Sequence, residues 1–180
     1  IMIQRRVYKY PLNPTRLQRV EIDDLLDKCR EFYNSVIDLD VEYRNHNSFL
    51  MTYNYAAKEI KGVKDTFDFY DKIHSHLIQS TLDRYFIARD KTFKNYQERL
   101  RYESYLNKIK ISKPKQYPGA LERYQRKFKN KAAGPFPRHK SVERFNTVLF
   151  KQENNGYKFK SDSKIRFNQM TLSYKKIKDN

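Results

Sequence analysis

The chain has 180 residues, with 38 Lys and Arg against 21 Asp and Glu, and a formal net charge of +17 at pH 7. Its 15 Tyr and 12 Phe, in a sequence that is 38% hydrophobic, are enough for a core and exclude disorder as a description of the whole chain. A single cysteine, Cys29, excludes a disulfide framework and any zinc finger or ribbon that needs two thiolates.

Residues 3–10 set Arg6, Tyr8 and Tyr10 on one face against Arg5, Val7 and Lys9 on the other, the period of a strand, and Pro11 and Pro14 break it. Thr15 with Gln18 three residues later is a capping box that opens a helix. The stripe Ile22, Leu25, Leu26, Cys29, Phe32, Tyr33, Val36 and Ile37 carries that helix to about Tyr43. Cys29 falls inside the stripe and reads as a small buried hydrophobe. Asp23, Asp24, Asp27, Asp38, Asp40 and Glu42 read as the solvated face of the same helix. After a polar break at 45–48, a shorter helix is expected over 52–61, ended near Gly62. A third helix is expected over 75–102, with Ile78, Leu82, Tyr85, Phe86, Phe93, Tyr96 and Leu100 on one stripe and Gln79, Asp83 and Arg84 on the opposite face.

From 107 to 131 the chain is almost all Lys, Arg, Gln, Tyr and Asn, and Pro114 and Pro118 split off a basic helix-like piece over 120–131. This stretch reads as an arm or insertion rather than as core. Beyond Gly134, strands are expected over 145–150, 157–160, 164–167 and 171–177, with a hairpin turn at Asn154-Asn155-Gly156. The fold class is therefore α+β. The first strand is expected to join the last ones in a small antiparallel β-barrel, over 1–13 and 132–180, with a helical domain over 14–104 inserted and the arm over 105–131.

The charge is uneven. Residues 1–20 carry 5 basic and no acidic side chains, 21–90 carry 9 and 14, and 91–180 carry 24 and 7. Counterion release makes such basic surfaces bind polyanions, and nucleic acid is favoured over a membrane surface. Aromatics interleaved with the bases, among them Tyr102, Tyr105, Tyr117, Tyr124, Phe128, Tyr157 and Phe159, suit base stacking. No apolar run approaches the roughly 18 residues of a membrane span, and the opening ten residues lack the apolar core of a signal peptide, so a soluble, reducing setting is expected.

No catalytic centre is expected. The carboxylates of the basic half, Glu98, Glu103, Glu122, Glu143, Glu153, Asp162 and Asp179, lie in polar, loop-like surroundings, whereas two-metal chemistry needs them gathered around the ions. Four glycines are too sparse for a phosphate-cradling loop. His74 and His76, two apart, point to different sides of a helix and read as a helix start.

Four segments stand in order along the chain: Tyr8-Lys9-Tyr10-Pro11-Leu12-Asn13-Pro14-Thr15 with Gln18; Cys29-Arg30-Glu31-Phe32-Tyr33-Asn34; Gln79 to Tyr96; and Gly134-Pro135-Phe136-Pro137-Arg138-His139-Lys140-Ser141. Together they resemble the amino-terminal part of the TnpB proteins, the insertion-sequence OrfB transposase-associated RNA-guided nucleases related to compact type V CRISPR effectors and to Fanzor. The chain differs from the family pattern in the extra Pro135, in His139 where the family has Phe, and in a longer arm.

The resemblance implies a helical recognition domain inserted into an oligonucleotide-binding-like wedge barrel that binds a guide (omega) RNA and reads a short transposon-adjacent motif on double-stranded target DNA. Motif-reading contacts would fall on Tyr53, Ser75, Gln79 and Thr147, whose other reading is an ordinary cap or surface polar residue. Guide-RNA contacts would fall on Arg5, Arg6, Lys9, Arg138, Lys140, Lys158, Lys160 and Arg166; Arg30 and Arg138 serve either to grip a phosphate or to fix local structure. The family's RuvC-like nuclease domain, with its divalent metal (Mg) and structural zinc, is not in this sequence, so no cofactor is expected here. The setting would be cytoplasmic and nucleoid-associated in a prokaryote, nuclear in a eukaryotic relative. Two alternatives stay open: a free-standing basic helix-turn-helix-type DNA/RNA-binding regulator, and a nuclease-lacking TnpB-derived repressor.

Overall fold

The first helix begins where Thr15 and Gln18 bind each other's backbones: the Gln18 N–H donates to Thr15 Oγ1 at 3.3 Å and the Thr15 N–H donates to Gln18 Oε1 at 3.0 Å. The expected capping box is therefore present, and the Gln18 amide also donates to the Thr171 carbonyl at 2.9 Å, tying the helix start to the sheet. The computed structural model describes residues 11–66, 73–129, 131, 134–150, 156–161, 163–167 and 170–174. In chain order these form β1 (Leu12–Asn13), α1 (Arg16–His46), α2 (Tyr53–Thr66), α3 (Ser75–Ser112), α4 (Tyr117–Phe128), β2 (Tyr157–Ser161), β3 (Lys164–Phe167) and β4 (Met170–Tyr174), with 3-10 turns at Pro114–Gln116 and Val142–Arg144.

The core lies between α1 and α3. Leu25, Cys29, Phe32, Tyr33, Val36 and Ile37 of α1 pack against Leu77, Ile78, Leu82, Tyr85 and Phe86 of α3, and Phe145 and Met170 extend the cluster toward the sheet. The Tyr33 ring sits 5.9 Å from Tyr85 and 5.8 Å from Phe145, so one side chain joins both helices and the segment leading to the strands. The apolar stripe read from the sequence is the buried face of α1.

Both later helices outrun their expected ends. α2 continues through Gly62, whose Cβ position faces open space, to Thr66; a glycine inside a helix costs only about 1 kcal/mol relative to alanine and does not by itself stop one. α3 runs ten residues past Tyr102, because Leu106 and Ile109 find partners in Ala120, Leu121 and Tyr124 of α4. The expected arm is thus the outer half of α3 folded back on α4 as a helical hairpin with its own small core. Pro114 opens the 3-10 turn and Pro118 lies in the first turn of α4, where a missing N–H costs nothing. Ion pairs brace the hairpin's base: Glu98 accepts from Lys127 at 2.6 Å and lies 3.6 Å from Lys131, while Arg99 donates to Glu103 at 3.0 Å and to the Tyr124 hydroxyl at 2.9 Å.

The sheet has the order β1-β4-β3-β2, antiparallel throughout. β1 pairs with β4, with Leu12 opposite Tyr174 and Asn13 opposite Ser173. This strand lies between Pro11 and Pro14; the expected strand 3–10, with Arg5, Arg6 and Lys9, lies outside the described residues, as do Asn154, Asn155 and 175–177.

The expected barrel is not what the described residues form: the four strands make an open sheet. Residues 145–150, expected as one of its strands, are not a strand. Phe145, Val148 and Phe150 all face the core although the three-residue step from 145 to 148 breaks a strand's period of two, and the backbone runs beside the sheet without joining its ladder.

Candidate nucleic-acid interface

The two sides of the sheet differ in chemistry. Met170 and Leu172 are buried, with Ile165 and Phe167 paired beside them, whereas Lys158, Lys160, Lys164, Arg166, Thr171 and Ser173 are exposed. The register sets Lys158 directly opposite Arg166, and Lys164 lies two residues from Arg166 on the same side. Like charges at a cross-strand pair destabilise the sheet that carries them. Among the described residues none of these four cations forms an ion pair. Three of the expected guide-RNA residues, Lys158, Lys160 and Arg166, are therefore brought to one small area, with Lys164 added by the register.

Arg138 is exposed and Lys140 half-buried, some way along the chain from these strands. What anchors their segment is Asn34: its Nδ2 donates to the Lys140 carbonyl at 3.1 Å while the Lys140 N–H donates to Asn34 Oδ1 at 2.8 Å. His139 Nε2 lies 2.8 Å from Asp38 Oδ1, and the Arg44 guanidinium stacks 3.6 Å over the Phe136 ring. The two segments 29–34 and 134–141 are thus one docked unit. Arg30 turns to its own helix, 3.3 Å from Asp27 and 3.8 Å from Glu31, which gives it a local structural contact.

Tyr53 and Thr147 come together as well. Both line an open groove of about 850 Å³ along α3, with Arg84, Phe86, Lys91 and Leu149 among its other walls. Tyr53, the first residue of α2, rests its ring 5.2 Å from Phe86. Arg84 donates to the Thr147 carbonyl at 2.8 Å, with Oγ1 at 3.4 Å, and lies 4.4 Å over Phe145. Ser75 and Gln79 are exposed one turn apart at the start of α3, outside the groove lining. His74 is the N-cap there, its Nδ1 accepting from the His76 N–H at 3.2 Å, so the His-Ser-His run is a helix start.

The sequence reading of Asp40 as part of a solvated face is overturned: it is fully buried. Arg44 Nε donates to Asp40 Oδ2 at 3.1 Å, Arg89 stands 3.7 Å from Oδ1, and Arg89 also donates to the Met51 carbonyl at 2.6 Å. One carboxylate thereby links α1, α3 and the connection into α2. The signal was present, since position 40 continues the 29, 32, 33, 36, 37 spacing of the apolar stripe. Burial, with the Asp40 carboxylate alongside, pushes the Tyr85 hydroxyl well above the usual tyrosine range, and burial pushes the Cys29 thiol up to about 11.

Among the described residues no group of three His, Cys, Asp or Glu could hold a metal ion. The arrangement defines an α+β protein: four helices followed by a small antiparallel sheet whose outer side is basic. No family model matches the chain, and neither a curated protein nor a solved structure matches it.

Proposed function

We propose that this chain is the nucleic-acid-binding lobe of a TnpB-like RNA-guided DNA endonuclease, holding guide RNA on the sheet and inspecting a short motif on duplex DNA from the helical side. The observation that carries the RNA contact is the Lys158–Arg166 cross-strand pair, flanked by Lys160 and Lys164. Two cations held opposite each other without a carboxylate cost stability in the free protein and are relieved by a phosphate backbone. In this reading Tyr53 and Thr147 approach the DNA from the groove and Ser75 and Gln79 from the helix start. Helices that lie in the chain between β1 and β2, while β1 pairs with β4, fit a recognition domain inserted into a wedge domain. Cleavage belongs to a RuvC-like domain outside these 180 residues, with its Mg and zinc.

The test is to purify the protein from its native host and sequence the RNA that comes with it. One abundant structured RNA encoded beside the gene is the expected result, and Lys158→Glu with Arg166→Glu should release it. Heterogeneous RNA washed away by moderate salt would overturn the guide reading and leave a free-standing basic binder.

A further inference from the structure

Far from the sheet, the α3–α4 hairpin ends in a tip whose composition the guide-RNA reading does not use. Ile111, in the last turn of α3, is 87% exposed, more than any other large hydrophobic among the described residues. Its neighbour Ile109 is 5% exposed and packs under α4, so the helix has placed one isoleucine inside and aimed the next outward. Around Ile111 stand Lys108, Lys110, Lys113 and Lys115, all exposed and none in an ion pair with a described residue. Of the hairpin's carboxylates, Glu98 holds Lys127 and Lys131, Glu103 holds Arg99 and Tyr124, and Glu122, exposed on α4, forms no ion pair with any of these four lysines. The dipole at the C-terminus of α3 favours Lys110, but Lys113 and Lys115 precede the positive end of α4, whose first turn carries no acidic residue. The tip is therefore a single apolar prong with four exposed lysines within four residues of it in the chain, none in an ion pair with a described residue.

We infer that this tip is a second nucleic-acid site, which presses Ile111 between base pairs from the minor groove of duplex DNA while the four lysines hold the flanking phosphates. A partner for this surface must be anionic around an apolar slot. A kinked minor groove offers both, and proteins that bend DNA insert one such side chain per step. An anionic membrane would match the charge, but one isoleucine is too small an anchor for stable insertion. A-form RNA has a wide, shallow minor groove that does not clamp a prong. The hairpin's reach suits the role, because its tip stands roughly 35 Å along the α3 axis from Arg89 in the core. The inference needs no guide RNA and stands or falls separately from the sheet.

The full chain, stripped of RNA, is mixed with a 20-base-pair DNA duplex carrying a dye at each end, and energy transfer reports bending. The intact protein is expected to shorten the end-to-end distance. Ile111→Ala, whose side chain is too exposed to matter for folding, is expected to abolish that shortening and weaken binding about tenfold. Replacing Lys108, Lys110, Lys113 and Lys115 by Gln should lower the salt-dependence slope of DNA binding by roughly 3 to 4. Lys158→Glu with Arg166→Glu should leave bending intact, which separates this site from the sheet. Equal energy transfer for wild type and Ile111→Ala would overturn the proposal. So would Ile111-dependent binding to phosphatidylserine vesicles without any bending of DNA, or equal bending of an RNA duplex.

Discussion

Asn34 and Lys140, 106 residues apart, are held to each other by two hydrogen bonds that use both ends of one amide. A side chain on the polar flank of α1 thereby fixes the backbone of the Gly134–Ser141 segment, with His139 on Asp38 and Phe136 under Arg44 on either side of it. Asn34→Ala removes both bonds and leaves the Lys140 N–H and carbonyl half-buried without their partner. A loss of about 2 kcal/mol in urea unfolding is expected. Asn34→Asp keeps the acceptor and loses the donor, and should fall between wild type and alanine.

Asp40 sets a different kind of limit. Asp40→Ala leaves the buried Arg89 with only the exposed Asp90, 3.6 Å away, as a counter-charge, and about 3 kcal/mol should be lost. Pairing Asp40→Leu with Arg89→Met removes both charges and should recover most of that loss. A double-mutant cycle by chemical denaturation checks this, and a double mutant no better than Asp40→Ala would show that the pair is not coupled.

Thr147 separates a structural from a reading role. Its carbonyl, at 2.8 Å, is the strong acceptor for Arg84, while Oγ1 at 3.4 Å adds little. Thr147→Val should therefore leave stability within about 0.5 kcal/mol of wild type. A fall in affinity for motif-bearing duplex, at unchanged stability, is the result expected of a reading residue; unchanged affinity would remove Thr147 from the interface.

Alkaline pH should weaken the fold early. Cys29 goes from an ordinary value of 9.0 to about 11 in the folded chain, because burial disfavours the thiolate. Its folded pKa is raised, so its contribution is fully present below about pH 9 and is lost as pH rises toward 11, while the unfolded chain ionises first. Tyr33 and Tyr85, also pushed up by burial, should continue the decline above pH 10. Unfolding free energies measured from pH 8 to 11 should fall, and Cys29→Ala should remove the part that begins nearest pH 9. The same burial predicts that alkylation of Cys29 proceeds only through opening of the core.

The sheet's charge can be tested without any ligand. Lys158→Glu alone converts a like-charge cross-strand pair into an attractive one, and should raise stability by about 0.5 kcal/mol while lowering RNA affinity. A variant that loses both would show that Lys158 serves the fold instead.

Much was legible along the chain because it depends on neighbours three or four residues away. The capping box at Thr15, the buried stripe of α1, the helix start at Ser75 and the strands at 157–160 and 164–167 all follow from local spacing, and the structure holds each of them. What spacing could not show is where a backbone finds its partner. Residues 145–150 read as a strand, yet they do not join the sheet, and Phe145, Val148 and Phe150 turn to the core with a three-residue step that no strand makes. The basic stretch read as an arm apart from the core is a packed hairpin, since Leu106 and Ile109 needed α4 folded back over them before they could be buried.

By itself the sequence determined the α+β class, the helical core face, and the concentration of positive charge toward the two ends. These are sums over residues or short-range periods. Only the tertiary structure decided that Asp40 is an interior ion held by Arg44 and Arg89, that Lys158 faces Arg166, that the described strands stay open, and that Ile111 points outward among lysines. Each depends on register or on which helix packs where, and a shift of one residue in a strand would have turned the same cations to the core.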